Sequence, residues 1–282
     1  MTNQQPATAA VRISQEFGAE RVDFTLTGSR AMMLKPIQPA RDGSRHWIFC
    51  APVFMGPDLA RPEINPVGYY HPIDADLPEP ASILPLKATH RKLFQRLLES
   101  GFYIGGIEVG ESMGNPAGCA QYTAYYHSVV KEYQLDSKPC LYATSRGGLM
   151  HYNWAANHPD WVRCIGANQP VMELALFPGL EKAAGAYGMP LEEFKKIYRR
   201  YDPIEKLEPL AARKIPILHI VGEADRLLPY DRQMDMYRRY TALGGKMQII
   251  GKKGVPHGLL PELLEDMGMY DFFMKQAGRS AP

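Results

Sequence analysis

Pro139-Cys-Leu-Tyr-Ala-Thr-Ser145-Arg-Gly-Gly-Leu-Met150 is an apolar run that ends on a serine set between small residues. Pro139 to Ala143 has the length and character of a buried strand, and Gly148 to Asn157, stopped by Pro159, reads as a helix. A serine on so sharp a strand-to-helix turn needs small residues two positions before and two after it, because the backbone passes close to itself there. Ala143 and Gly147 occupy those positions, and Gly148 lets the helix approach the sheet. The pattern is G-x-S-x-G with alanine in the first place. In an open α/β sheet such a turn stands at the carboxyl edge, where sites form. The N–H of Arg146 opens the helix beside the serine and is a candidate donor to an oxyanion. The same residues also suit a serine that merely caps a helix, so the rest of the chain has to decide.

Working outward, strands and helices alternate from residue 47 to the end. Trp47 to Ala51, Phe102 to Val109, Val162 to Ala167, Ile215 to Val221 and Lys246 to Ile250 read as strands. Thr89 to Ser100, Ala120 to Tyr133, Arg232 to Leu243 and Leu260 to Gln276 read as helices. Arg21 to Lys35 alternates and breaks at Thr27-Gly28-Ser29, a hairpin. This order predicts an α/β fold, a mostly parallel central sheet covered by helices on both faces. Met1 to Glu16 is polar and reads as a frayed tail, which leaves one domain over 17–282. Leu174 to Tyr201 is helical with breaks at Pro178, Gly179 and Pro190. That makes about 173–205 a small helical lid insertion.

Two later loops give the serine its meaning. The strand Ile215 to Val221 runs into Gly222-Glu-Ala-Asp225, and Lys246 to Ile250 runs into Gly254-Val-Pro-His257-Gly258. A serine hydroxyl is a poor nucleophile at neutral pH, so an imidazole must take its proton. A carboxylate must then hold the other ring nitrogen and stabilise the charged imidazole. The chain order Ser145, Asp225, His257 supplies these three groups, each in a loop after a strand. Glu173 and Glu223 are rivals to Asp225 for the acid.

A second oxyanion donor is expected from the loop after Trp47 to Ala51. Pro52 has no N–H, so Val53 is the expected donor and Phe54 the runner-up. The proline-dense stretch Gly56 to Leu86 holds Tyr69, Tyr70 and His71. A loop this long inside a domain is usually functional, and Tyr70, His71 and Phe54 are expected to contact substrate. Glu108, at the end of its strand, and Glu173 are candidate polar contacts, with Glu111 nearby.

Composition bounds the partners. The 282 residues carry 32 basic and 30 acidic side chains, a net charge of +2. This gives no electrostatic reason to expect nucleic acid or an anionic membrane surface. No apolar run approaches the ~20 residues of a membrane helix, and the N-terminus lacks the apolar core of a signal peptide. Cys50, Cys119, Cys140 and Cys164 show no metal or redox spacing. They read as buried hydrophobes in a reducing compartment, hence a cytoplasmic location. No metal or organic cofactor is implied, and oligomeric state is not legible.

Ala143-Thr-Ser-Arg-Gly-Gly-Leu149, Asn153-Trp-Ala-Ala156, and Tyr201-Asp-Pro-Ile-Glu-Lys-Leu-Glu-Pro-Leu210 leading to Val221-Gly-Glu-Ala-Asp225 resemble the α/β-hydrolase superfamily. They look closest to bacterial esterase-like members, with a distant similarity to hydrolases of the prolyl-oligopeptidase type. The resemblance runs from about residue 45 to the end. It implies an α/β-hydrolase fold with Ser145, His257 and Asp225 as nucleophile, base and acid. Members often carry His-Gly in the loop that is Ala51 to Gly56 here, so this loop departs from the pattern and leaves the second donor open between Val53 and Phe54. The superfamily hosts many chemistries, and a serine nucleophile favours acyl transfer to water. The leading expectation is hydrolysis of a small or medium polar carboxylic ester or lactone. A peptidase, amidase or thioesterase on the same residues comes second, held back by the lack of a propeller domain in the sequence. A non-catalytic ligand-binding member comes third.

Overall fold

The computed structural model describes residues 11–53, 90–258 and 260–279. Among them nine strands form one sheet in the order β1-β2-β3-β5-β4-β6-β7-β8-β9. The strands are β1 Arg12–Glu16, β2 Ala19–Leu26, β3 Ser29–Leu34, β4 Trp47–Ala51, β5 Tyr103–Ile107, β6 Cys140–Thr144, β7 Cys164–Asn168, β8 Ile217–Gly222 and β9 Met247–Lys252. Neighbours from β1 through β2 and β3 to β5 pair antiparallel, and every pair from β5 through β4 to β9 is parallel.

The parity of each strand sorts its side chains to two cores. Met33, Trp47, Phe49, Leu141, Ile165 and Ile217 meet one group of helices: α2 (Pro116–Tyr133), α3 (Gly147–Asn157), α6 (Glu208–Ala212) and α7 (Tyr230–Ala242). Their neighbours Met32, Ile48, Cys50, Cys140, Cys164 and Leu218 meet α1 (Arg91–Glu99), α8 (Pro261–Leu264) and α9 (Met267–Gln276) on the other face. A sheet buried on both sides needs apolar residues at consecutive positions, and the parallel strands supply them. The residues 180–197 form α4 (Leu180–Ala186) and α5 (Leu191–Ile197), which pack a third cluster on Leu149, Val171 and Leu228 beside the start of α3.

Most element ends differ from the sequence reading by a residue or two, and three larger differences are informative. Arg12–Glu16, expected as the end of a tail, is strand β1, paired with Ala19 to Asp23 through the tight turn at Phe17 and Gly18. Helix α2 begins four residues earlier than expected, because the Asn115 side chain accepts from the Gly118 N–H at 2.8 Å and Pro116 occupies the first turn. The expected helix from 260 to 276 is two, because Asp266 caps α9 through the Gly268 N–H at 2.7 Å. The expected loop at Gly56 to Leu86, with Phe54, Tyr70 and His71, lies outside the described residues.

All four cysteines are free and buried, and burial pushes the Cys119 thiol up to about 12. No helix among the described residues is long and apolar enough to cross a membrane.

Two histidines sit in the core. His219 on β8 bridges the Tyr152 hydroxyl at 2.7 Å and Gln233 Oε1 at 3.0 Å, and burial lowers its pKa to about 4. His151 on α3 lies between Phe49 and Tyr122, with neither ring nitrogen hydrogen-bonded among the described residues. Burial lowers its pKa to about 3. Both are neutral in the folded chain, while the unfolded chain protonates them near the ordinary value of about 6.5. Their contribution to stability is therefore complete above pH 6.5 and falls as pH drops towards 4 and 3. Asp202, raised to about 6 by burial, works in the opposite direction between pH 6 and 4. His151→Leu is expected to shrink the drop in melting temperature between pH 7.5 and pH 5. An unchanged drop, measured by thermal unfolding at both pH values, would show that His151 is not a source of the acid sensitivity.

Candidate active site

The site is assembled at the carboxyl ends of β6, β8 and β9, with the end of β4 beside them. Ser145 follows β6 with φ of 50°, a left-handed conformation that a non-glycine residue adopts only when its surroundings hold it. Two backbone bonds hold it there: the Ser145 N–H donates to the Asn168 carbonyl, and the Val171 N–H donates to the Ser145 carbonyl, both at 2.9 Å. Both partners belong to β7 and its exit, so the neighbouring strand locks the turn. Ala143, in place of the first glycine, is fully buried and pairs with Ala51 across the sheet.

The two glycines after the serine are required by contact. A Cβ on Gly147 would lie 2.0 Å from the Ala51 carbonyl oxygen, and one on Gly148 would lie 2.6 Å from the Val171 carbonyl oxygen. The residue at the helix N-cap is Arg146, with no side-chain cap bond. The Ser145 hydroxyl is therefore not a capping group. It lies 3.1 Å from His257 Nε2.

His257 stands in the loop after β9. Its Nδ1 lies 2.7 Å from Asp225 Oδ2. Asp225 Oδ1 accepts from the N–H groups of Leu227 and Leu228, each at 2.8 Å. The carboxylate side chain is only 2% exposed, so its position is set by backbone donors. A carboxylate accepts from Nδ1–H, which leaves Nε2 as the acceptor facing the serine. Acid and base loops are also packed together: the Ala224 N–H donates to the Val255 carbonyl at 3.0 Å, and a Cβ on Gly222 would meet that carbonyl at 2.2 Å.

The rival carboxylates are placed elsewhere. Glu173 is held by Arg232 through bonds of 2.9 and 2.5 Å. Glu223 is exposed and its carboxylate lies over Gly251. Glu108, expected to contact substrate, is buried and held by Arg30 at 2.8 and 2.7 Å. Both expected contacts, Glu108 and Glu173, therefore have their carboxylates engaged by an arginine. Val53 is buried at the exit of β4, against Gly106. Gly147 packs on the Ala51–Pro52 turn that precedes it. Phe54, Tyr70 and His71 fall outside the described residues.

Two features were not legible in the sequence. The Arg146 guanidinium turns away from solvent to Glu111 Oε1 at 2.6 Å, and both residues are buried. Burial raises the Glu111 pKa against the lowering effect of that arginine. The pair ties the loop after β5 to the residue whose N–H adjoins Ser145. Gln169, at the exit of β7, clamps the histidine loop: its Nε2 donates to the Gly258 carbonyl at 2.7 Å and its Oε1 accepts the Gly258 N–H at 3.3 Å. Long-range side-chain pairs of this kind leave no spacing signal. Only Gln169's place beside β6 and β8 could have drawn attention to it. No group of three or more His, Cys, Asp or Glu among the described residues could hold a metal ion.

The model of the prolyl oligopeptidase family matches residues 118–279, more than half of the chain. No curated protein matches it. Among solved structures, a puromycin hydrolase is similar at 15% identity with a TM-score of 0.63, covering 99% of this chain and 41% of that one. A Pyrococcus horikoshii acylaminoacyl peptidase is similar at 18% identity and a TM-score of 0.60, covering 98% of this chain and 42% of that one. The chain thus spans about two fifths of the length of these two. An S-formylglutathione hydrolase from Agrobacterium tumefaciens is similar at 13% identity and a TM-score of 0.65, covering 97% of this chain and 100% of that one. These likenesses show the α/β-hydrolase fold.

Proposed function

The chain belongs to the prolyl oligopeptidase family, and from that premise we propose that it is a serine hydrolase that cleaves a carboxylic acyl bond through an acyl-enzyme on Ser145. The observation that carries this reading is the hydrogen-bonded line from Ser145 Oγ to His257 Nε2 at 3.1 Å and from His257 Nδ1 to Asp225 Oδ2 at 2.7 Å. In the proposed reaction Ser145 Oγ attacks the acyl carbon while its proton passes to Nε2. Asp225 stabilises the imidazolium that results. The negative oxygen of the tetrahedral intermediate is held by the N–H groups of Arg146 and Val53. Collapse of the intermediate expels the alcohol, thiol or amine, which takes the proton from Nε2. Water, deprotonated by the same nitrogen, then releases the acid. Gln169 and the Glu111–Arg146 pair hold the histidine loop and the Arg146 backbone in place, and the 173–205 segment serves as the lid.

Two substrate readings have separate support. Membership of a family named for a peptidase favours an amide or peptide bond. Similarity over the whole length of an S-formylglutathione hydrolase favours an ester or thioester. A panel that pairs each acyl group as its nitrophenyl ester, thioester and anilide decides between them. Ester or thioester turnover without anilide cleavage selects the esterase, and anilide cleavage selects the amidase or peptidase. A fluorophosphonate probe is expected to label Ser145. If it does not, with the protein folded, the chain is a ligand-binding member of the fold.

The acid assignment has its own check. Asp225→Asn is expected to lower kcat by about 10⁴-fold, since an asparagine favours the wrong imidazole tautomer. Glu173→Gln should change kcat by less than about tenfold. The reverse ranking in steady-state kinetics would move the acid to Glu173.

A further inference from the structure

A cavity of about 380 Å³ opens between the start of α2 and the far end of α3. Asn153 and Asn157, which line it, lie about 12–18 Å along the helix from Ser145, at 1.5 Å per residue. It is therefore separate from the Ser145 site. Its volume falls within the ordinary range for small-molecule pockets, roughly 300–1,000 Å³.

Most of the buried polar groups of its wall are hydrogen-bonded to one another or to backbone. Thr123 Oγ1 donates to the Cys119 carbonyl at 3.1 Å and accepts from Trp154 Nε1 at 3.1 Å, with His158 Nε2 at 3.3 Å. Asn153 Nδ2 donates to the Leu149 and Tyr201 carbonyls at 2.8 and 2.9 Å. Those two bonds fix the amide so that Oδ1 faces Lys206 Nζ, 2.6 Å away. The Lys206 ammonium also lies 5.6 Å from the centre of the Tyr201 ring. It has three N–H donors, and the bond to Asn153 uses one. Among the described residues no carboxylate lies within ion-pair distance of it, and no carboxylate lines the cavity. Burial lowers its pKa against the smaller raising effects of Cys119 and of the Asp202 carboxylate.

We propose that this cavity binds a small organic carboxylate, with Lys206, held by Asn153, as its charge partner. A single lysine offering two spare donors matches the two oxygens of a carboxylate. A phosphate dianion would call for more donors, commonly an arginine. The remaining wall, with Pro116, Ala120 and the Tyr201 ring, suits a short apolar body attached to that carboxylate.

The test is isothermal titration of the whole chain, with Ser145 first blocked by a fluorophosphonate or replaced by alanine, using sodium benzoate as probe. Saturable binding is expected. It should weaken at least tenfold in Lys206→Met, weaken in Ala120→Trp, which fills the mouth from an exposed helix position, and be absent for neutral benzamide. Circular dichroism confirms that both variants fold. Because Ser145 is blocked, this outcome is independent of whether the chain is a hydrolase. No saturable binding of benzoate, equal binding by Lys206→Met, or tighter binding of inorganic phosphate than of benzoate would overturn the proposal.

Discussion

Ser145→Ala is expected to reduce turnover of the best substrate by about 10⁴- to 10⁶-fold, leaving the melting temperature within a few degrees of the parent. The size follows from what the serine does in the proposed reaction. Without Oγ no acyl-enzyme forms, and the remaining rate comes from a water attacking in a pocket that still binds substrate and still holds an oxyanion. Nucleophile, base and acid act as a unit, so removing one member forfeits most of what the three achieve together. Stability is little affected, because among the described residues the Oγ makes one hydrogen bond, to His257 Nε2, and caps no helix. Alanine also keeps the two backbone bonds that hold the turn. Its left-handed conformation costs it about as much as it costs serine. Retention of more than about a hundredth of the parental kcat would displace Ser145 as nucleophile. Loss of the fold would make the kinetic result uninformative, so unfolding and kinetics are measured on the same preparation.

Gly147→Ala is expected to cost both activity and stability. The new Cβ would lie 2.0 Å from the Ala51 carbonyl oxygen and 2.9 Å from Pro52 Cδ. Real Cβ atoms do not approach backbone oxygens that closely, and neither neighbour is a flexible side-chain end. Either the start of α3 or the exit of β4 must shift. Overpacking of this type costs about 1–3 kcal/mol, more when backbone has to move. For a domain of this size each kcal/mol lowers the melting temperature by roughly 2–4 °C, so a drop on the order of 10 °C is expected. The same shift displaces the Arg146 and Val53 N–H groups, which flank the contact on either side. A displacement near 1 Å of such groups is enough to lower kcat about a hundredfold. Gly147 has an ordinary helical backbone, since its φ is not among the positive ones. The loss would therefore be steric rather than conformational. An alanine variant with parental melting temperature and kcat would show that the elbow is not packed on the Ala51–Pro52 turn.

Much of the frame was legible in the sequence. The alternation of short apolar runs with periodic helical segments implies a parallel sheet, because each parallel strand must be apolar on both faces and each crossover must return the chain. Small residues around Ser145 mark a turn where backbones touch, and that constraint acts on the local sequence. The order of Ser145, Asp225 and His257, each just past a strand, was legible for the same reason: a loop after a strand in such a sheet opens on the carboxyl edge. The structure brings His257 within hydrogen-bond distance of both Ser145 and Asp225.

Element ends were less legible. Arg12–Glu16 alternates too weakly to be recognised as a strand until β2 is beside it, and Asp266 splits the last helix by a cap that competes with a continuous helical pattern.

What the sequence alone determined was the set of chemical groups and the edge of the sheet on which they stand. Only the tertiary structure decided which groups face one another. Arg232 takes Glu173, Arg30 takes Glu108 and Arg146 takes Glu111, which removes three carboxylates from the free inventory of the loops. Asp225 instead receives two backbone N–H groups and the histidine. The physical reason is that a side-chain partner is chosen by distance in space, across separations of 35 to 78 residues in these pairs. A residue's own strand, helix or turn is chosen by neighbours a few positions away. The left-handed φ of Ser145 belongs to both levels: the small residues around it permit the turn, and the backbone bonds to Asn168 and Val171 hold it.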